Sequence, residues 1–336
     1  MLHRSVTEQG ALPNRDVMHR VCRRRHMSIN AMVGRFQKFT SAALLVALST
    51  FLFHSSADAQ ELADAVLTGK ATPSSSGDSK AVRTSDASTD DGLRNAKALT
   101  EILTIARQCV KRIDEQIVDY SCVLIKRERV NGQLGGYQYM TAKVRHHKDD
   151  KTKSIPFSLY LRFHQPDEFR DREVLYVDGF NAGKIIAKKG GDRFAYLTSE
   201  FAPESEIAMR GNRYPITEFG VQNLAHRLLE IAENESFLSG CDLELRRQAK
   251  VDGRVCVAIV VTKRERTADD PFSLARVFID KELMIPIHFE SFGWLTSSGK
   301  PRLLEQYTYR NLKLNVGFSG ADFDRNNSTY GFRKTR

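Results

Sequence analysis

Between Leu93 and Ile117, apolar residues recur at spacings of three and four: Leu99, Ile102, Leu103, Ala106, Val110, Ile113 and Ile117. That period predicts an amphipathic helix, with Asp90 and Asp91 placed where an N-cap belongs. Beyond it the period drops to two. Ser121 to Val130 and Gly136 to Arg145 read as strands joined at Asn131-Gly132, a strong hairpin turn. Ser154 to His164 is the clearest strand. Ile155, Phe157, Leu159, Leu161 and Phe163 share one face, Pro156, Ser158, Tyr160, Arg162 and His164 share the other, and Pro166 ends the run.

Val174 to Val177, Lys184 to Lys188 and Arg193 to Thr198 follow as short strands, separated by Asp178-Gly179, Asn181 to Gly183 and Gly190-Gly191. Ser199 to Tyr214 has little period and reads as a long loop. Pro215 to Glu235 returns to helix, capped by Thr217 and striped by Val221, Leu224, Leu228, Ile231 and Ala232. Three β units close the chain: Asp242 to Lys263 turning at Asp252-Gly253, Ala275 to Phe292 turning around Asp280-Lys281-Glu282, and Arg302 to Val316 with Tyr307 and Tyr309. Roughly ten or eleven strands, two main helices and no repeated βαβ unit predict an α+β, mostly β chain. Its core is a single curved antiparallel sheet.

The N-terminal part has a different logic. Ser41 to Phe53 carries no charge, follows Arg35 and Lys38, and leads to Ser56-Ala57-Asp58-Ala59. A basic region, a short apolar run and small residues at −3 and −1 make a secretory signal, with cleavage expected between Ala59 and Gln60. The apolar run is shorter than the about 20 residues a membrane-spanning helix needs, so no stable transmembrane segment is expected after cleavage. Met27 or Met32 as the start would give this signal an ordinary length. Gln60 to Gly92 is rich in Ser, Thr, Ala, Asp and Gly and reads as a flexible linker before a domain of residues 93–332. The expected location is periplasmic or secreted.

Charge changes the picture less than it first suggests. The net +10 divides equally: residues 1–59 hold eight Lys/Arg and three acids, and the remainder 43 and 38. The runs Lys126-Arg127-Glu128-Arg129 and Lys263-Arg264-Glu265-Arg266 have interleaved acids, unlike basic patches that follow a phosphate backbone, so no nucleic-acid partner is expected. Four cysteines follow the leader: Cys109, Cys122, Cys241 and Cys256. In an exported chain they permit two disulfides, with buried free thiols as the alternative. A hairpin turning at Asp252-Gly253 sets Cys241 opposite a residue near 263, so Cys241 and Cys256 are not cross-strand neighbours.

Candidate chemistry fails motif by motif. Gly179 to Lys184 has three residues between its glycines where a phosphate loop needs four, and Ile185 follows where Ser or Thr should hold magnesium. Asp322 to Asn327 opens like a calcium loop but has Asn327 in place of the bending glycine and Arg333 in place of the bidentate Glu. His146, His147, His164, His226 and His288 form no ligand pattern, and Glu204 and Glu206 have no partner to separate their acidities. No catalytic residue, metal or cofactor is assigned.

The C-terminal stretch Val277-Phe278-Ile279-Asp280-Lys281, Ile285-Pro286-Ile287, Glu290, Phe292, then Glu305 to Asn315 and Phe323, resembles the second half of the LolA/LolB superfamily of periplasmic lipoprotein carriers. The longer pattern is similar to a planctomycete family of unknown function. It runs through Asp119-Tyr120-Ser121-Cys122, Lys126-Arg127-Glu128, Arg172-Glu173-Val174, Gly179, Gly183-Lys184 and Arg213-Tyr214-Pro215-Ile216-Thr217-Glu218. The resemblance implies an open half-barrel with helices over its concave face. The stripe Ile155, Phe157, Leu159, Leu161 and Phe163 is then the candidate lining for an apolar ligand, a lipid or lipoprotein acyl chain, or else plain core. An envelope protein partner with the interior filled is the alternative, and an envelope hydrolase the third reading.

Overall fold

The strands pair in one sheet because their periods and turns agree. In the computed structural model, residues 87–149, 154–267, 271–295, 299 and 301–332 are described, with side chains from Gly92 onward. The leader, its cleavage site and residues 60–86 of the linker lie outside them. The elements below belong to one compact unit. Helix α1 spans Ala87–Gln116. The first strands are β1 Asp119–Val130, β2 Gln133–Leu134 and β3 Gln138–Arg145, then the ribbon β4 Lys148–Asp149 with β5 Ser154–Ile155. Next come β6 Ser158–Gln165, β7 Glu173–Val177, β8 Ile185–Lys188 and β9 Thr198–Phe201. Short helix α2 Glu206–Met209, helix α3 Val221–Glu233 and short α4 Glu235–Leu238 precede β10 Cys241–Val251, β11 Arg254–Lys263, β12 Leu274–Asp280, β13 Ile285–Leu295 and β14 Pro301–Leu314.

Twelve strands form one antiparallel sheet in the order β10-β11-β12-β13-β14-β1-β3-β6-β7-β8-β9, with β2 added to β1. The sheet stays open, with β10 and β9 at its edges. The hairpin at Asp252-Gly253 is as expected, and Cys241 pairs in register with Lys263. One face of the sheet packs under α1 and α3. Ile102, Ala106 and Ile113 of α1 and Val221, Ala225, Leu228 and Ala232 of α3 share a core with Leu124, Ala142, Leu159, Leu161, Ile259 and Ile279. Asp114 ties the helices together, accepting from Gln222 at 2.7 Å and pairing with His226 at 3.0 Å.

The opposite face is covered in part by the C-terminal segment after β14. Asp119 is buried and accepts from the backbone amides of Gly317 and Phe318, the latter at 2.8 Å. Tyr330 stacks on Tyr160 at 3.8 Å, and Glu173 accepts from Gly331 N at 2.8 Å.

Several expectations are corrected. Helix α1 begins at Ala87, so Asp90 and Asp91 lie inside it and the 60–92 linker ends earlier. Ile155 lies in the β4–β5 ribbon, apart from the strand that carries Leu159, Leu161 and Phe163. Residues 193–197 turn instead of forming a strand. Phe194 takes a left-handed backbone (φ 58°) that an extended strand does not allow, and pairing begins at Thr198. The expected loop 199–214 contains the rest of β9 and all of α2. Pro215 to Glu235 is not one helix: Ile216–Glu218 is a 3-10 turn, and α3 starts after Gly220, so Thr217 is not its cap.

All four cysteines after the leader are buried, and the structure joins none of them in a disulfide. Cys109, Cys122 and Cys241 belong to the main core, whereas Cys256 sits in a separate cluster with Val251 and Ile287. Burial pushes the Cys109 thiol up to about 12 and Cys256 up to about 11, so these remain thiols.

His146 gives a test of this packing. It is buried edge-on to Tyr120, donates from Nδ1 to Ile117 O at 3.2 Å, and leaves Nε2 without a partner. Burial lowers its pKa to about 4. The unfolded chain therefore binds one more proton between about pH 6.5 and 4, and stability falls as pH falls through that window. The expected loss from this group is about 3 kcal/mol at pH 4 relative to pH 7. Urea unfolding of the wild type and of His146→Gln at both pH values checks it: the variant should show the smaller drop.

Candidate functional site

Strand β1 alternates, so Tyr120, Cys122, Leu124, Lys126 and Glu128 point to the helix-covered face. The first three are apolar core and the last two are charged. Strand β14 repeats the gradient in register: Leu124 faces Tyr309, Lys126 faces Tyr307 and Glu128 faces Glu305. On β13, Phe289 stacks on Tyr307 at 6.3 Å and Ser291 faces Glu305. Two buried carboxylates thus sit directly opposite each other. Like charges so placed repel and need counter-charges and donors.

The donors come from the sheet and from the segment before α3. Lys126 Nζ pairs with Glu128 at 3.0 Å and donates to Asn212 Oδ1 at 2.6 Å. Arg213 N donates to Glu128 Oε2 at 3.2 Å, Arg213 Nη1 donates to Arg129 O at 3.0 Å, and Arg213 Nε makes an ionic contact with Glu305 at 3.5 Å. Tyr214 Oη donates to Glu305 at 3.2 Å and Ser291 Oγ at 2.7 Å. Tyr307 Oη donates to Glu128 and lies 3.3 Å from Glu305 Oε2. Burial, and then Glu305, raises the Tyr214 and Tyr307 phenols well above their ordinary range, so both stay protonated donors.

From this cluster, residues 214–220 cross the inner face beside β1 to its other end. Pro215 is buried, and Ile216 and Phe219 pack on the core. The crossing ends at Tyr120, whose Oη accepts from Val221 N at 3.2 Å and so satisfies one free amide of α3. Gly220 has φ +111° and a Cβ there would stand 2.8 Å from Tyr120 Oη, so glycine is required twice over. One strand therefore holds both ends of the crossing segment.

An apolar cavity between α1, α3, α4 and β10–β11, lined by Ile102, Leu228, Ile231, Leu238, Ile259 and Val261 among others, measures about 10 Å³. That is at the limit for one water, against the ~150 Å³ of a cavity that admits benzene. Leu159, Leu161 and Phe163 are buried core, Phe157 is half-buried against it, and none of the five stripe residues lines the cavity. Among the described residues no three metal-ligating side chains converge. Asp322 accepts from Ser319 N and Oγ at the 3-10 turn Gly320–Phe323, a structural cap. Sequence reasoning did not single out the polar cluster as a site. The sequence offers its members only within the separate stretches Lys126 to Glu128, Arg213 to Glu218 and Glu305 to Asn315, and Asn212 and Ser291 lie outside all three.

Removing one partner leaves the others buried and unpaired. Glu305→Ala should cost about 3–5 kcal/mol in urea unfolding. Because Arg213 and Glu305 share one network, Arg213→Ala with Glu305→Ala should lose less than the sum of the two singles. At the other end, Gly220→Ala should destabilise by more than about 1 kcal/mol, and adding Tyr120→Phe should recover part of that loss.

Among the described residues no helix is long and apolar enough to cross a membrane. Similar solved structures include the Pseudomonas aeruginosa MucA/MucB complex, at TM-score 0.37 and 16% identity over 67% of this chain and 60% of that one. An outer membrane lipoprotein-sorting protein domain from Vibrio parahaemolyticus gives 0.33 and 12% over 68% and 98%. A LolA superfamily protein from Nitrosomonas europaea gives 0.27 and 9% over 66% and 96%. No curated protein matches the sequence. A family model described as a protein of unknown function, DUF1571, matches residues 117–332, which hold the whole sheet and α3 but not α1, and the chain belongs to that family.

Proposed function

We propose that this protein is an exported, non-enzymatic binding module of the cell envelope that acts through its outer surface, with its interior filled by its own side chains. The observation that carries this reading is the packing of the inner face, where the apolar cavity between α1, α3, α4 and β10–β11 measures about 10 Å³. An acyl chain needs many times that space. Export rests on the leader pattern of residues 35–59 and not on the fold.

The competing reading is a carrier of a lipid or lipoprotein acyl chain, lined by Ile155, Phe157, Leu159, Leu161 and Phe163. It requires the crossing segment to leave the sheet, breaking the contacts of Arg213, Tyr214 and Val221 together.

Native mass spectrometry of the full chain purified from an envelope fraction separates the two. The filled-interior reading expects the mass of the polypeptide without lipid. It also expects no saturable displacement of a fluorescent fatty acid, and a discrete protein adduct after cross-linking in intact cells. A stoichiometric lipid adduct that a fatty acid displaces would overturn it.

A further inference from the structure

The run Lys126-Arg127-Glu128-Arg129 mixes signs in sequence, but the pleat of β1 separates them. Lys126 and Glu128 turn inward and pair with each other at 3.0 Å. Arg127 and Arg129 turn to the opposite face, where Glu128 does not neutralise them. Arg302, exposed on β14, joins them at the hairpin turn Asn131-Gly132.

The three guanidinium groups meet backbone carbonyls and no acid. Arg129 Nη1 and Arg302 Nη2 both donate to Gly132 O, at 2.9 and 3.1 Å. Arg129 Nε donates to Leu303 O at 2.8 Å. Arg127 Nε donates to Gly135 O at 2.9 Å, and its guanidinium lies 4.8 Å from the centre of the Tyr137 ring. Among the described residues no carboxylate pairs with any of the three. The remaining guanidinium nitrogens, Arg129 Nη2, Arg127 Nη1 and Nη2, and Arg302 Nε and Nη1, make no hydrogen bond to the described residues. Burial first, and then the like charges of Arg302 and Arg127, holds the Arg129 pKa below its ordinary value. Carbonyl contacts fix the three groups in position, so little side-chain freedom is lost when an anion arrives.

We infer that Arg127, Arg129 and Arg302 form a binding site for a phosphate-class anion at the Asn131-Gly132 turn. Guanidinium forks match phosphate oxygens in geometry and charge, and three of them around one turn provide more donors than one phosphate needs. The phosphate could be free or part of a lipid headgroup. Leu295 is two-thirds exposed on the same hairpin, where Gly293 pairs with Arg302, and would meet the apolar layer beneath a headgroup.

The test uses the full chain with two probes: inorganic pyrophosphate, by calorimetry, and vesicles of phosphatidylglycerol with phosphatidylcholine, by flotation. Saturable binding to at least one probe is expected, weakening with added salt. Arg302→Gln should raise Kd by about tenfold, and Arg127→Gln with Arg302→Gln should abolish binding while the unfolding midpoint is kept. Pyrophosphate binding identifies a free anion. Binding to phosphatidylglycerol vesicles alone, reduced by Leu295→Ser, identifies a headgroup. Failure of both probes overturns the site, and so does an unchanged Kd in folded Arg302→Gln.

Discussion

Glu128 and Glu305 face each other on neighbouring strands inside the protein, and much of the architecture on that face follows from keeping them there. Two buried carboxylates are tolerated only with cations and hydrogen-bond donors around them. The sheet supplies Lys126, Ser291 and Tyr307, and the remainder must come from another part of the chain. Asn212, Arg213 and Tyr214 therefore have a fixed address at one end of β1. The same strand presents Tyr120 at its other end to the first amide of α3. Held at both points, the connecting residues cross the inner face, α3 is set against α1, and the apolar surface between them closes.

The two faces of the sheet are covered by different means. Helices and the crossing segment seal the inner face around an apolar core with a charged end. The outer face is partly covered by the C-terminal segment, anchored by buried acids at Asp119 and Glu173 and by the Tyr160–Tyr330 stack. Cover of this kind explains why alternation along a strand has two readings here. Tyr160 lies on what resembles a polar face in sequence yet is buried. Arg127 and Arg129, on the same side of the sheet, keep donors that no described residue takes up.

Local physics was legible in the sequence. Asn131-Gly132 and Asp252-Gly253 need left-handed backbone and so announce their hairpins, and the α1 stripe repeats at the helical period. The open antiparallel sheet follows from counting such units. What sequence did not reveal depends on partners far along the chain. Gly220 replaces Thr217 before α3 because Tyr120, 101 residues from Val221, supplies the hydroxyl that the Val221 amide meets. The turn at 193–197 carries a left-handed backbone at Phe194, which side-chain pattern does not announce. The polar cluster joins Glu128 to Tyr307 across 179 residues, and no spacing rule reaches that far. A useful signal was available in the strand period itself, since alternation already divides Lys126 and Glu128 from Arg127 and Arg129.

The filled interior depends on a crossing segment that stays on the sheet as long as the sheet is folded. Native-state hydrogen exchange reads this directly at two amides, Arg213 N and Val221 N, which donate to Glu128 and Tyr120. The account predicts that both exchange only with the β1 amides, in the slowest, globally unfolding class. Exchange of either amide orders of magnitude faster than β1 would mean that the segment lifts while the sheet persists, and the filled, closed interior would be contradicted.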